Sequence, residues 1–139
     1  MTKLAIVLLF KIAATTLFWC GPLLFLPTEA LSTLGAQDAS QALARLLGWA
    51  YLSLCVGYAF GLRSELAGQR PIAAIWLGIV SNLGASAYLF YFGLLGTWRA
   101  MPELVQIIAW SSALVAALIS IGLIWFGLLR WQSPKRIMT

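Results

Sequence analysis

The chain has no histidine, four acidic residues and two cysteines among 139 residues, and only 9% of its residues are charged. Each shortage excludes a chemistry. Without histidine, the usual haem ligand, most zinc and copper sites, the Ser-His and Cys-His pairs and the simplest proton relay are lost. The four acids, Glu29, Asp38, Glu65 and Glu103, fall in loops or at helix ends, so no paired carboxylates sit within an apolar segment for acid–base work. The two cysteines form no CxxC motif. A soluble domain is roughly one-quarter charged, so this chain lacks the polar groups to cover a water-facing surface. What it has instead is hydrophobic residues, 62% of the total, and lipid is the solvent that suits them. The net charge of +5 then reads as the lysine and arginine excess of cytoplasmic loops, with no nucleic-acid partner implied.

Four segments are long enough to span a bilayer. A hydrocarbon core of about 30 Å needs roughly 20 mainly apolar residues at about 1.5 Å rise each. Residues 4–26, 42–62, 71–95 and 104–129 meet that requirement, with continuous apolarity rather than the alternation of a transmembrane barrel. Pro27 closes the first segment, Gly35 is a helix stop, and a short interfacial helical turn is expected between them. Asp38 with Gln41 three residues on has the form of a capping box. Pro71 and Pro102 suit first helical positions, and Glu103 suits the positive end of a helix dipole. The linkers are short, so successive helices are expected to be antiparallel neighbours. The expected fold is all-α: one transmembrane domain over 1–139, an up-down four-helix bundle.

Orientation follows from the basic residues. Lys3, Arg63, Arg70, Arg130, Lys135 and Arg136 fall on one side, against Arg99, Arg45 and the acids Glu29, Asp38 and Glu103 on the other. The positive-inside rule then places both termini in the cytoplasm. Trp19, Trp49, Trp98 and Trp110 lie toward the outer interface and Trp76, Trp125 and Trp131 toward the inner one, as an aromatic belt requires.

Polar residues inside the spans are the candidate contacts: Lys11, Arg45, Asn82 and Ser86. Lys11 sits about seven residues, or roughly 11 Å, inside its helix, shallow enough for its stem to lift the ammonium to the cytoplasmic headgroups. Arg45 at the outer rim is expected to meet a phosphate or a loop carboxylate, with Glu29 and Asp38 in reach. Asn82 falls near the midplane, where an amide needs a partner, and packing against another helix is the expected role. Gly78, Asn82 and Ser86 recur every four residues; Ser53, Gly57 and Gly61 make a matching stripe on the second helix, and Ser112, Ala116 and Ser120 one on the fourth. These stripes predict close helix–helix seams.

The segment LFWCG around Cys20 invites a lipoprotein reading, but Phe18 and Trp19 are too bulky for a cleavage site and Lys11 interrupts the hydrophobic region. Cys20 lies about six residues from the outer end of its segment and Cys55 about thirteen, a depth difference of roughly 10 Å against the ~5.5 Å of a disulfide. Both are expected to be small buried apolar residues.

The first linker and second helix, with Pro27, Gly35, Arg45 and Gly48 in the run FLPTEALSTLGAQDASQALARLLGWAYL, resemble small bacterial inner-membrane proteins of the DoxX-like type. The resemblance covers about half of the chain and implies four helices in the inner membrane, without an assigned catalytic residue.

Three functions compete. A non-catalytic accessory or scaffold subunit of a larger membrane complex fits the small-residue seams and the missing catalytic groups. Its partners would be the lipid bilayer and membrane-protein subunits, or further copies of itself. The alternative is a small oligomeric transporter or channel, for which Lys11, Thr15, Thr16, Asn82 and Ser86 supply sparse polar lining and no embedded carboxylate couples protons. A protein that contacts a quinone or lipid stands third. No catalytic residue, metal site or cofactor is expected, and the accessory role is preferred.

Overall fold

The computed structural model describes residues 2–33 and 38–131, and the described residues form helices joined by short turns, with no strands. Four helices are long and apolar enough to cross a membrane. The first, α1, covers Lys3–Phe25. Thr2 caps it, its hydroxyl accepting from Ala5 N at 3.1 Å. Within α1 the residues Thr16–Cys20 form a π-helical turn, where Gly21 N reaches Thr16 O. The cause is Pro22, which has no N–H to offer the carbonyl four residues back, so the turn widens just before it. The helix ends at Leu26, whose ψ of 140° is the extended backbone favoured ahead of Pro27.

A short helix, α2, runs Thr28–Thr33, where the interfacial turn was expected, with Glu29 in its first turn. The expected stop at Gly35 and the side chains of the Asp38–Gln41 capping box lie outside the described residues, as do Lys135 and Arg136.

The long helix α3, Asp38–Leu66, exceeds the expected 42–62 at both ends. It carries Arg63, Ser64 and Glu65 on in helical form until Gly68, whose φ of 79° only glycine adopts without strain. There Gly68 N and Gln69 N bond back to the Glu65 and Ser64 carbonyls, closing the helix end. Next, α4 runs Ile72–Leu94 behind Pro71 and stops at Gly96, φ 80°. A 3-10 turn over Thr97–Ala100 leads through Pro102 into α5, Glu103–Leu129, whose last six residues are again π-helical.

The core is a column of Leu4, Leu8, Tyr58, Ile75, Ile79, Ile119 and Leu123, to which all four long helices contribute. α4 packs most extensively on α5, and α1 on α3. At most 33% of the most apolar stretch of any long helix is buried inside the protein, and 17% for α3, so most of the apolar surface faces outward. That is the arrangement of a multi-pass membrane protein, in which lipid covers the outer face and close backbone approach, not water exclusion, holds helices together. Gly61 is such an approach: a methyl there would run into the Ala74 side chain of α4. At Gly78 the neighbour is Leu123 of α5.

Candidate functional site

The helical period that buries Leu4 and Leu8 carries Lys11 and Thr15 onto the same face. Lys11 is 9% exposed, and its ammonium donates to Asn82 Oδ1 at 2.5 Å across the bundle. The Asn82 amide is fixed from behind, its Nδ2 donating to Gly78 O at 2.6 Å, which turns the oxygen toward the lysine. Tyr58, fully buried on α3, presents its ring 5.6 Å from the same ammonium and bonds Ser81 through its hydroxyl at 2.8 Å. The expectation that Lys11 lifts its charge to the headgroups is therefore overturned. An acceptor on α4 and an aromatic face on α3 hold it inside, where the stem alone offered only a way out.

Ser86, one turn beyond Asn82, donates to Ala113 O on α5 at 2.9 Å. Gly78, Asn82 and Ser86 are all buried, as their four-residue stripe predicts. On α3 the stripe holds only in part. Gly61 faces Ala74 and Gly57 faces Leu77, but Ser53 is exposed and bonds its own helix at Trp49 O. On α5 the buried residues are Ala109, Ala113, Ile119, Ser120, Leu123 and Gly127; Ser112 and Ala116 are half-buried, so of the expected stripe only Ser120 is fully inside. Ser120 is buried as the stripe requires, although its hydroxyl bonds its own helix at Ala116 O.

Arg45 has partners that the sequence did not suggest. Its guanidinium donates to Leu23 O at 2.9 Å and Leu26 O at 2.6 Å, the carbonyls left open where α1 ends. Arg70 does the same for α5, with bonds to Gly127 O and Leu128 O at 2.8 Å.

The two cysteines correct the depth argument. Cys20 Sγ and Cys55 Sγ are 4.0 Å apart, and Thr16 Oγ1 donates to Cys55 Sγ at 3.6 Å. The depth argument aligned the ends of the two spans, Leu26 with Ala42. With those ends aligned Leu24 would lie level with residue 44; in the structure it lies against Gly48, so about four residues, or ~6 Å, of supposed depth difference disappear. Both thiols are buried and free.

A second polar cluster escaped the sequence reading. Glu65 is 1% exposed and accepts from Thr2 Oγ1 at 2.7 Å and Trp131 Nε1 at 2.8 Å. It lines a cleft of about 400 Å³ with Lys3, Leu4, Trp125, Arg130 and Trp131. The basic groups around it rest on rings: Lys3 on Phe126 at 5.6 Å, Arg130 on Trp125 at 4.5 Å and Arg70 on Trp131 at 5.8 Å. A signal for Glu65 was present, since 53, 57, 61 and 65 continue one four-residue stripe.

Among the described residues no three His, Cys, Asp or Glu side chains are grouped so as to hold a metal ion, and no buried side-chain nitrogen or oxygen lacks a hydrogen-bond partner. Several interior polar groups join one helix to another, Lys11 to Asn82 and Ser86 to Ala113 O among them, and the two thiols also meet across helices. Comparison with protein families, curated proteins and solved structures finds no match to this chain.

Proposed function

We propose that the protein is a non-catalytic accessory or scaffold subunit of a larger membrane complex in the bacterial inner membrane. In this reading its long helices run up and down, with both termini in the cytoplasm. The supporting observation is the destination of its interior polar groups: Lys11 ends on Asn82, Ser86 on Ala113 O, Tyr58 on Ser81 and Arg45 on the α1 carbonyls. Such bonds fix one helix arrangement while large apolar side chains such as Phe18, Phe25, Val80 and Leu118 remain outward, each at least 67% exposed. A rigid bundle with an apolar exterior is suited to fill a lateral site in an assembly.

The orientation is supported by the meeting of Thr2, Glu65 and Trp131, which brings the start of α1 and the ends of α3 and α5 to one side, together with Lys3, Arg70 and Arg130. Tags at the two ends should both be reached only from the cytoplasm. Purification in mild detergent should retain a stoichiometric larger partner whose own assembly falls when this chain is deleted. An isolated homo-oligomer that moves ions or solutes across liposomes would replace the scaffold reading with the transporter one.

A further inference from the structure

The thiols of Cys20 and Cys55 come from different helices and meet inside the apolar layer. We propose that they form a dithiol that a quinone dissolved in the bilayer oxidises to a disulfide. The sulfurs are 4.0 Å apart and joined in one hydrogen-bonded group with the Thr16 hydroxyl. A disulfide needs about 2.05 Å, so the sulfurs must approach by about 2 Å, a movement within reach of side-chain rotation and slight helix adjustment. The helices are already locked in the required register by Gly48 against Leu24 and by Arg45 on Leu23 O. Cys20 ends the π-helical turn that Pro22 imposes, and such turns re-aim a side chain away from the regular helical position.

The place of the pair selects its oxidant. Charged water-borne disulfides do not enter hydrocarbon, so the oxidant must be lipid-soluble and must accept two electrons. A quinone meets both conditions. An aromatic surface stands next to the thiols on the same two helices, where Trp19 and Tyr51 pack with ring centroids 5.6 Å apart. Outside them Leu17 and Phe18 are 68% and 73% exposed, so this part of α1 is open to the lipid phase. In the reaction two S–H bonds break and one S–S bond forms. The two electrons and two protons pass to the quinone, which leaves as hydroquinone. With no reductant held by the chain the change occurs once per molecule, as a sensor's does, and it covalently ties α1 to α3. This couple does not depend on the accessory role.

The test uses the full chain in lipid nanodiscs and, as probe, a short-chain benzoquinone with every ring position substituted, so that it can oxidise thiols but not add to them. After exposure the protein is denatured, alkylated with a maleimide and weighed intact. The reduced chain should carry two adducts and the quinone-treated chain none, with hydroquinone formed in equal amount; Cys55→Ser should keep its one adduct on Cys20 throughout. In intact nanodiscs the quinone should act about tenfold or more faster than oxidised glutathione at equal concentration. Two adducts persisting on folded, quinone-treated wild type would overturn the couple. Closure by glutathione at the same rate would overturn the lipid-phase oxidant.

Discussion

Replacing Asn82 by leucine removes the one hydrogen-bond acceptor that the buried Lys11 ammonium has among the described residues, while keeping side-chain volume nearly constant. A hydrogen bond to a charged group contributes about 1.5–3 kcal/mol. Stranding a buried charge costs about 3–5 kcal/mol when nothing relaxes. Lys11 can relax by swinging its stem toward the nearer helix end, so the expected loss for Asn82→Leu is about 2–4 kcal/mol. Lys11→Met is milder, about 1 kcal/mol, because the amide keeps its bond to Gly78 O and leaves only one neutral oxygen unmet. The double variant presents an apolar pair and should recover most of the Asn82→Leu loss, a coupling of about 2 kcal/mol. Reversible unfolding of all four proteins in mixed micelles, titrated with a denaturing detergent, measures that coupling. Interhelical hydrogen bonds in membranes average about 0.6 kcal/mol in such cycles. A coupling at or below that value would refute the assignment of Lys11 and Asn82 as a charged pair that sets helix packing.

Other substitutions separate the remaining contacts. Arg45→Met leaves the Leu23 and Leu26 carbonyls without their donor and should lower stability by about 1–3 kcal/mol, with faster hydrogen exchange confined to the end of α1. Trp131→Phe removes one of the two donors to Glu65 and should cost about 1–3 kcal/mol; the amides around Glu65 should exchange faster while those around Lys11 do not change. Gly61→Ala should destabilise by about 1–3 kcal/mol, because its methyl meets the rigid Ala74 side chain. Gly84→Ala, with nothing within 4 Å of the added carbon, should stabilise by up to about 1 kcal/mol through helix propensity. Equal effects at the two glycines in the same micelle titration would remove the argument from close approach.

The four long helices were legible because twenty-residue apolarity is a strong, local signal, and Pro27, Pro71 and Pro102 punctuate it. What failed was everything that depends on register between helices. The depth argument for Cys20 and Cys55 assumed that helix ends line up, and the pairing of Gly48 with Leu24 is not written in either segment alone. Lys11 illustrates a second limit. Its burial is set by an amide 71 residues away, and a single helix shows only the stem's route outward. Glu65 was passed over because a carboxylate near a linker reads as solvated, although its position on the glycine stripe of α3 aims it inward. The Asn82 and Ser86 face was readable for the opposite reason: a polar stripe in an apolar helix has few places to go other than a neighbour.

Arg45 and Arg70 each stand near the beginning of one long helix and grip the finish of another. As the polypeptide leaves the ribosome, the terminal carbonyls of α1 wait only about twenty residues for Arg45, so α1 and α3 can settle as a hairpin before α4 is made. For α5 the order is reversed, because Arg70 is in position well before Gly127 and Leu128 are synthesised. The final helix therefore arrives at a berth already equipped with its clasp, and a chain truncated before residue 127 should insert with that guanidinium still unengaged.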